Sequence, residues 1–150
     1  MALAVIVTAS APAGERVRAG SRRGDGLGIL VVAEALAWRG APYLYGGTTR
    51  GGVDCSGFVS AVLTAAAACA DPPRRSSAFA NFGLPVDGPL EPGDILLFGK
   101  GGRVDHVGIA LSERAFIHSV SEGPTTGVII SSLDDESWRS RLIAVRRMEG

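Results

Sequence analysis

Asp54-Cys55-Ser56-Gly57 is the segment of this chain best suited to nucleophilic chemistry. It stands where a loop carrying Gly46-Gly47 and Gly51-Gly52 meets an alanine-rich apolar stretch that reads as a helix. A cysteine in the first turn of a helix faces unpaired backbone N–H groups and the positive end of the macrodipole. Both favour the thiolate, which is the reactive form. Asp54 is placed to cap that helix, although its charge opposes a thiolate and calls for a cationic partner. A cysteine is commonly just a small buried residue, and Cys69 takes that reading. The glycines before Cys55 and its polar cap set it apart. The two cysteines do not pair: roughly 14 residues along one helix separate them by roughly 21 Å, and a disulfide needs Cα atoms within about 7 Å.

The two histidines, His106 and His118, both fall in a region that reads as strands. If a hairpin turns about Ser112-Glu113, a register centred on Ser112 sets His106 opposite His118, with Cβ atoms about 5 Å apart on one face. Alternation then buries Val107, Ile109 and Ile117 on the other face. A facing pair could hold a metal, but no Asp, Glu or third His is spaced to complete such a site. Asp105 points away from it on a regular strand. The pair reads instead as a base and its orienter, with His106 deprotonating Cys55 and His118 fixing the His106 tautomer and ring. Two surface histidines that merely pair across strands are the plainer alternative.

The elements that must position these groups fit one domain, since 150 residues with 46% apolar content supply one sizeable core. Lys+Arg and Asp+Glu both total 15, and that balance argues against a nucleic-acid surface. Arg22-Arg23 and Arg146-Arg147 read as solvated pairs. No Cys-x-x-Cys motif suggests structural zinc, and no apolar run reaches the roughly 20 residues of a membrane span. Ala2 to Ala13 has an apolar start but no basic lead. A signal-peptide remnant, an edge strand and the tail of a preceding domain all fit it. Residues 1–26 are taken as a lead-in and 27–150 as the functional domain. Ile29, Val32, Ala33 and Leu36 share one helical face, and Gly40 stops that helix. Ser56 to Ala70 reads as a second, buried helix, ended by Asp71-Pro72-Pro73. Arg74 to Pro92 is loop with a short helical turn near Ala78 to Phe82. Five short strands follow, Asp94 to Phe98, His106 to Leu111, Ala115 to Ser119, Gly127 to Ser131 and Leu142 to Arg147. Helices followed by strands give α+β, with helices packed on an antiparallel sheet.

Gly40-Ala41-Pro42-Tyr43-Leu44-Tyr45-Gly46-Gly47 and Val53-Asp54-Cys55-Ser56-Gly57-Phe58-Val59 resemble the signature of the NlpC/P60 family, papain-like cysteine peptidases of bacterial cell walls. Pro92 to Phe98, Asp105 to Ile109, Phe116 to His118 and Gly127 to Met148, with Trp138, are similar to later family segments, so the resemblance runs from Leu27 to Met148. It implies Cys55 as nucleophile, His106 as general base and His118 as the third polar residue. Tyr43 and the Cys55 backbone amide would line the oxyanion pocket. Asp54 and Ser56 would grip the free amino group of a stem peptide, beside Tyr45 and the Arg74 and Ser76 of the Pro73 to Ser77 segment. Tyr45 stands where the family often has Trp, and Ala78, Phe79 and Ala80 stand where a Gln often follows.

The resemblance implies hydrolysis of peptidoglycan stem peptides at the γ-D-glutamyl–diamino acid bond through a thioester. The alternatives are an amidase cutting between muramic acid and L-alanine, and a papain-like acyltransferase. The chemistry needs a reduced thiol and no cofactor or metal. The expected partner is the stem peptide, with neither nucleic acid nor membrane insertion, and the chain is expected to be a monomer. A cell-envelope or secreted location is implied, with the cytoplasm as the alternative.

Overall fold

The structure, a computed structural model, describes residues 26–149. The lead-in expected over residues 1–26, Arg22-Arg23 included, lies outside the described residues except for Gly26. Helix α1 spans residues 26–36 and ends in turns up to Gly40, whose φ of +91° is a left-handed stop. Only part of the apolar surface read on this helix is buried. Val31, Ala35 and Trp38 are in the core, while Ile29 and Leu36 are 61% and 42% exposed. The rotation is set by a backbone contact that apolar spacing does not report. A Cβ at Gly28 would lie 2.1 Å from the Pro92 carbonyl oxygen, so α1 presses that side onto the turn before the sheet. Trp38 then meets Phe58 edge to face at 6.1 Å.

Strands β1 (Thr48–Thr49) and β2 (Gly52–Val53) form a small hairpin leading into helix α2 (Cys55–Ala65). The helix is shorter than the sequence suggests. Ala67 takes φ +56°, the Ala68 amide donates to the Leu63 carbonyl and the Ala67 amide to that of Thr64. That is a Schellman stop with alanine where glycine is usual, and it leaves Cys69 beyond the helix. Both cysteines are free. A 3₁₀ helix follows (Ser76–Asn81), close to the expected helical turn.

The sheet holds β3 (Leu84–Pro85), β4 (Ile95–Lys100), β5 (Arg103–Ala110), β6 (Ala115–Val120), β7 (Gly127–Ser132) and β8 (Leu142–Arg147), in the order β3-β8-β4-β5-β6-β7. All neighbours are antiparallel, so the α+β architecture stands with one short strand added to the five expected. Helix α3 (Glu136–Arg139) precedes β8. One sheet face carries Ile95, Leu97, Val107, Ile109 and Ile117 against α1 and α2. The other carries Leu96, Phe98, Ala110 and Phe116 under Trp138 and Leu142. Alternation along each strand supplies both cores.

Candidate active site

The histidines meet, though in another register. The β5–β6 hairpin pairs Ile109 with Ile117 and Ala110 with Phe116, centring the turn on Glu113 instead of Ser112. The Ser112 hydroxyl is spent inside the turn, accepting the amide of Ala115 at 3.1 Å. A two-residue shift preserves the face, so His106 and His118 become diagonal neighbours. By that register His118 faces Gly108, and a Cβ there would lie 3.2 Å from the His118 Cβ. The missing side chain is what lets the His118 ring lie over β5. His106 Nε2 then sits 2.8 Å from His118 Nδ1, and His118 Nε2 sits 2.8 Å from the Ser131 hydroxyl on β7. Trp138 packs across both rings, with centroids 5.4 Å from His106 and 4.7 Å from His118.

Asp105 departs from regular alternation. Phe98 pairs with His106 and Gly99 with Val104, which leaves Asp105 unpaired in a bulge. Its carboxylate accepts from Arg141 at 3.2 Å and borders the same cleft as His106 and Cys55. The Arg141 guanidinium lies over Trp138, 5.1 Å from the ring centroid. No three His, Cys, Asp or Glu side chains among the described residues gather as a metal site.

Cys55 opens α2, with Asp54 as its cap accepting the Gly57 amide at 2.7 Å. Asp54 also accepts the Gly46 amide at 2.9 Å. Arg74 reaches both of its oxygens at 3.1 Å and donates to the Ser56 hydroxyl at 2.9 Å. Burial alone would raise the Asp54 carboxyl, but the Arg74 hydrogen bond and the two amides outweigh it and hold it low. On β6 the buried Ser119 hydroxyl donates to the Val53 carbonyl at 2.7 Å, tying the strand before the nucleophile to the sheet.

The thiolate expected at the helix start is not the resting form. Burial pushes the Cys55 thiol up and the Asp54 charge adds to it, while the amides of Val107, Ser56 and Cys55 pull the other way without prevailing. Burial, then the Arg141 charge, brings His106 down to about 4 against the pull of Asp105. Burial, then His106 and Arg141, takes His118 to about 2. At neutral pH the pair therefore rests as thiol and neutral imidazole. A neutral His106 has an unshared ring nitrogen to offer as a base.

Two clefts meet at Cys55, and Tyr43 and Asp105 border both. One, of about 570 Å³, holds His106, Trp138 and Arg141. The other, of about 690 Å³, holds Asp54, Ser56, Arg74 and Ser76, with Tyr45 at its rim. Burial, then the charges of Cys55 and Asp54, keeps the Tyr43 phenol protonated above its ordinary range, so it is a donor. Every residue singled out from the sequence thus lines one of these clefts or, like His118, directly supports one. Ser131 and Arg141 were not singled out. Ser131 depends on the β6–β7 register, which the sequence leaves open. The signal for Arg141 is its spacing three residues after Trp138 in a polar stretch.

The sequence pattern of the NlpC/P60 family matches residues 40–147. The chain is similar to the probable endopeptidase NlpC of Escherichia coli (strain K12), 40% identical over 127 residues that cover 80% of each chain. It is 35% identical over 119 residues to the murein DD-endopeptidase MepS/murein LD-carboxypeptidase of the same strain, covering 79% of this chain and 61% of that protein. Among solved structures, the NlpC/p60 domain of the peptidoglycan hydrolase SagA superposes with a TM-score of 0.68 at 29% identity. That match covers 81% of this chain and 98% of that one.

Proposed function

The chain belongs to the NlpC/P60 family, and on that footing we propose that it is a cysteine endopeptidase acting on the peptide stems of bacterial peptidoglycan. Residues 27–150 form the catalytic domain in this reading, working at the cell envelope or outside the cell. The observation that carries it is the 2.8 Å contact from His106 Nε2 to His118 Nδ1, in a cleft bordered by a cysteine at a helix start.

His106 Nε2 donates to His118, whose own Nε2–H is held by Ser131, so Nδ1 of His106 is left for Cys55. As the thiol sulfur attacks the scissile carbonyl carbon, its proton passes to that nitrogen. The carbonyl oxygen becomes an oxyanion met by the Cys55 amide and the Tyr43 hydroxyl. The C–N bond breaks, and the amine leaves with the proton returned by His106. Water activated by His106 then hydrolyses the thioester and regenerates the thiol. The leaving amine departs on the His106 side, so the acyl part occupies the cleft of Asp54, Ser56, Arg74 and Ser76. A carboxylate there suits the free amino end of a stem peptide, and this supports the γ-D-glutamyl–diamino acid bond as the one cut.

Mass spectrometry of muropeptides incubated with the protein, beside a Cys55→Ala control, tests this. Release of L-Ala-D-Glu, lost in the control, is expected. Cysteine-dependent cleavage at muramic acid would make the enzyme an amidase instead. No cysteine-dependent product from intact wall or free stem peptides would overturn the hydrolase reading.

A further inference from the structure

The reacting groups stand on two parts of the chain that meet only in the tertiary fold. Cys55 and Tyr43 lie on helix α2 and the loop before it, whereas His106 and His118 lie on β5 and β6. Phe58, Val59 and Val62 of α2 share one core with Val107, Ile109 and Ile117 of the sheet. Apolar burial is non-directional, so it holds the two parts together without fixing their offset closely. A short hydrogen bond between them does fix it.

The Ser119 hydroxyl supplies such a bond, donating to the Val53 carbonyl at 2.7 Å. Ser119 directly follows His118 on β6, and Val53 stands two residues before Cys55. Alternation turns Ser119 to the side of Ile117 and the helices, while His118 takes the Trp138 face. Ser119 is only 1% exposed. An apolar residue there would bury no polar group, so the hydroxyl is accounted for by the carbonyl it reaches.

Val53 is a junction. Its amide donates to the Pro42 carbonyl at 2.9 Å, and its carbonyl also accepts the Leu44 amide at 3.3 Å. Tyr43 is thus bracketed by two bonds to one residue. The Asp54 amide donates to the Gly47 carbonyl at 3.2 Å, which carries the same anchorage into the start of α2. Of the two donors to the Val53 carbonyl, Ser119 is the closer and comes from the histidine strands. Gly40 and Ala41 pair with Val128 on β7, which fixes where the loop begins but not where Cys55 stands. The Val107 amide reaches the Cys55 sulfur, but a thiol is a weak acceptor. A displacement of Val53 therefore moves the Tyr43 hydroxyl and the Cys55 sulfur together, relative to His106.

We propose that Ser119 is a positioning residue, whose hydroxyl sets Cys55 and Tyr43 at their working distance from His106 through the Val53 carbonyl. The Tyr43 part rests on the hydrolase reading above. The Cys55 part does not, since a thiol beside a base reacts with any small electrophile.

The test compares Ser119→Ala with the wild type in two assays. One is the rate at which iodoacetamide alkylates Cys55 at pH 7, read by mass spectrometry of the Cys55 peptide so that Cys69 does not interfere. It needs neither substrate nor oxyanion pocket. The other is kcat and KM on a stem peptide with a free amino end. In Ser119→Ala, alkylation should slow about fivefold or more, toward the rate of His106→Ala. Its kcat should fall about tenfold or more with KM within about twofold, since misplacement by about 1 Å costs up to about 100-fold. Ser119→Cys keeps the size but weakens the donor; it should lose less in both assays, and it carries the test if the alanine protein does not fold. Ile95→Val, a core truncation at the end of β4 remote from His106, should leave both rates unchanged. A folded Ser119→Ala protein with wild-type alkylation and kcat would overturn the proposal, and so would an equal loss in Ile95→Val. A fall in kcat without slower alkylation would confine Ser119 to Tyr43 and overturn its setting of Cys55. Slower alkylation in Ser119→Ala, when the wild type cleaves no stem peptide, would keep the positioning role and discard the hydrolase.

Discussion

Acidification from pH 7 to pH 5 probes the buried histidine pair directly. Both rings have folded-state pKa values depressed below the ordinary 6.5, to about 4 for His106 and about 2 for His118. The unfolded chain therefore binds more protons than the folded one throughout this window. The stability contributed is complete above the unfolded pKa and is lost as pH falls toward the folded values. At pH 5 an unfolded histidine is almost fully protonated and each buried ring costs about 2 kcal/mol, so the pair costs about 4 kcal/mol. A domain is worth only about 5–15 kcal/mol in total. With a urea slope of about 2 kcal/mol/M, the unfolding midpoint should drop by about 2 M between pH 7 and pH 5. Asp54 does not contribute here, because a carboxyl held low stays ionised above its unfolded value near 3.8. Urea titration followed by circular dichroism at several pH values reads the slope directly. His118→Asn, which cannot titrate, should halve it whatever that change does to the absolute midpoint. A wild-type midpoint flat over the window, or an undiminished slope in His118→Asn, would refute the reasoning.

Three further outcomes are expected. Ser131→Ala removes the acceptor for His118 Nε2 and loosens the tautomer of the pair, so kcat should fall about tenfold with KM little changed; steady-state kinetics on a stem peptide, with the acid limb of the pH profile, checks this. Asp54→Ala strips α2 of its cap and Arg74 of its partner, costing about 2 kcal/mol and roughly 8 °C in Tm. Ala67→Gly relieves a left-handed alanine and should stabilise the domain by about 0.5–1 kcal/mol, read as a higher urea midpoint with activity unchanged.

Much of the site was legible locally. A cap before a cysteine, glycines ahead of it and an apolar helix behind it are short-range features, and the structure keeps them in place. Strand periodicity sorted Val107, Ile109 and Ile117 onto the core face, because alternation depends on neighbours in sequence. It also put both histidines together on the other face, and a register error of two residues left that intact.

What the sequence could not set depends on contacts between distant segments. The rotation of α1 follows from Gly28 lying against Pro92, a backbone approach invisible to apolar spacing. The bulge that turns Asp105 into the cleft arises from how β4 meets β5. The charge state of Cys55 depends on distant contacts too. A helix start favours thiolate locally, but desolvation is set by the whole fold and prevails at Cys55. The sequence by itself determined which groups could do chemistry and that the two histidines would share a face, since both follow from residue type and period. Tertiary structure alone decided their register, their charge and the Arg141 side of the cleft, since these are set by what packs around them.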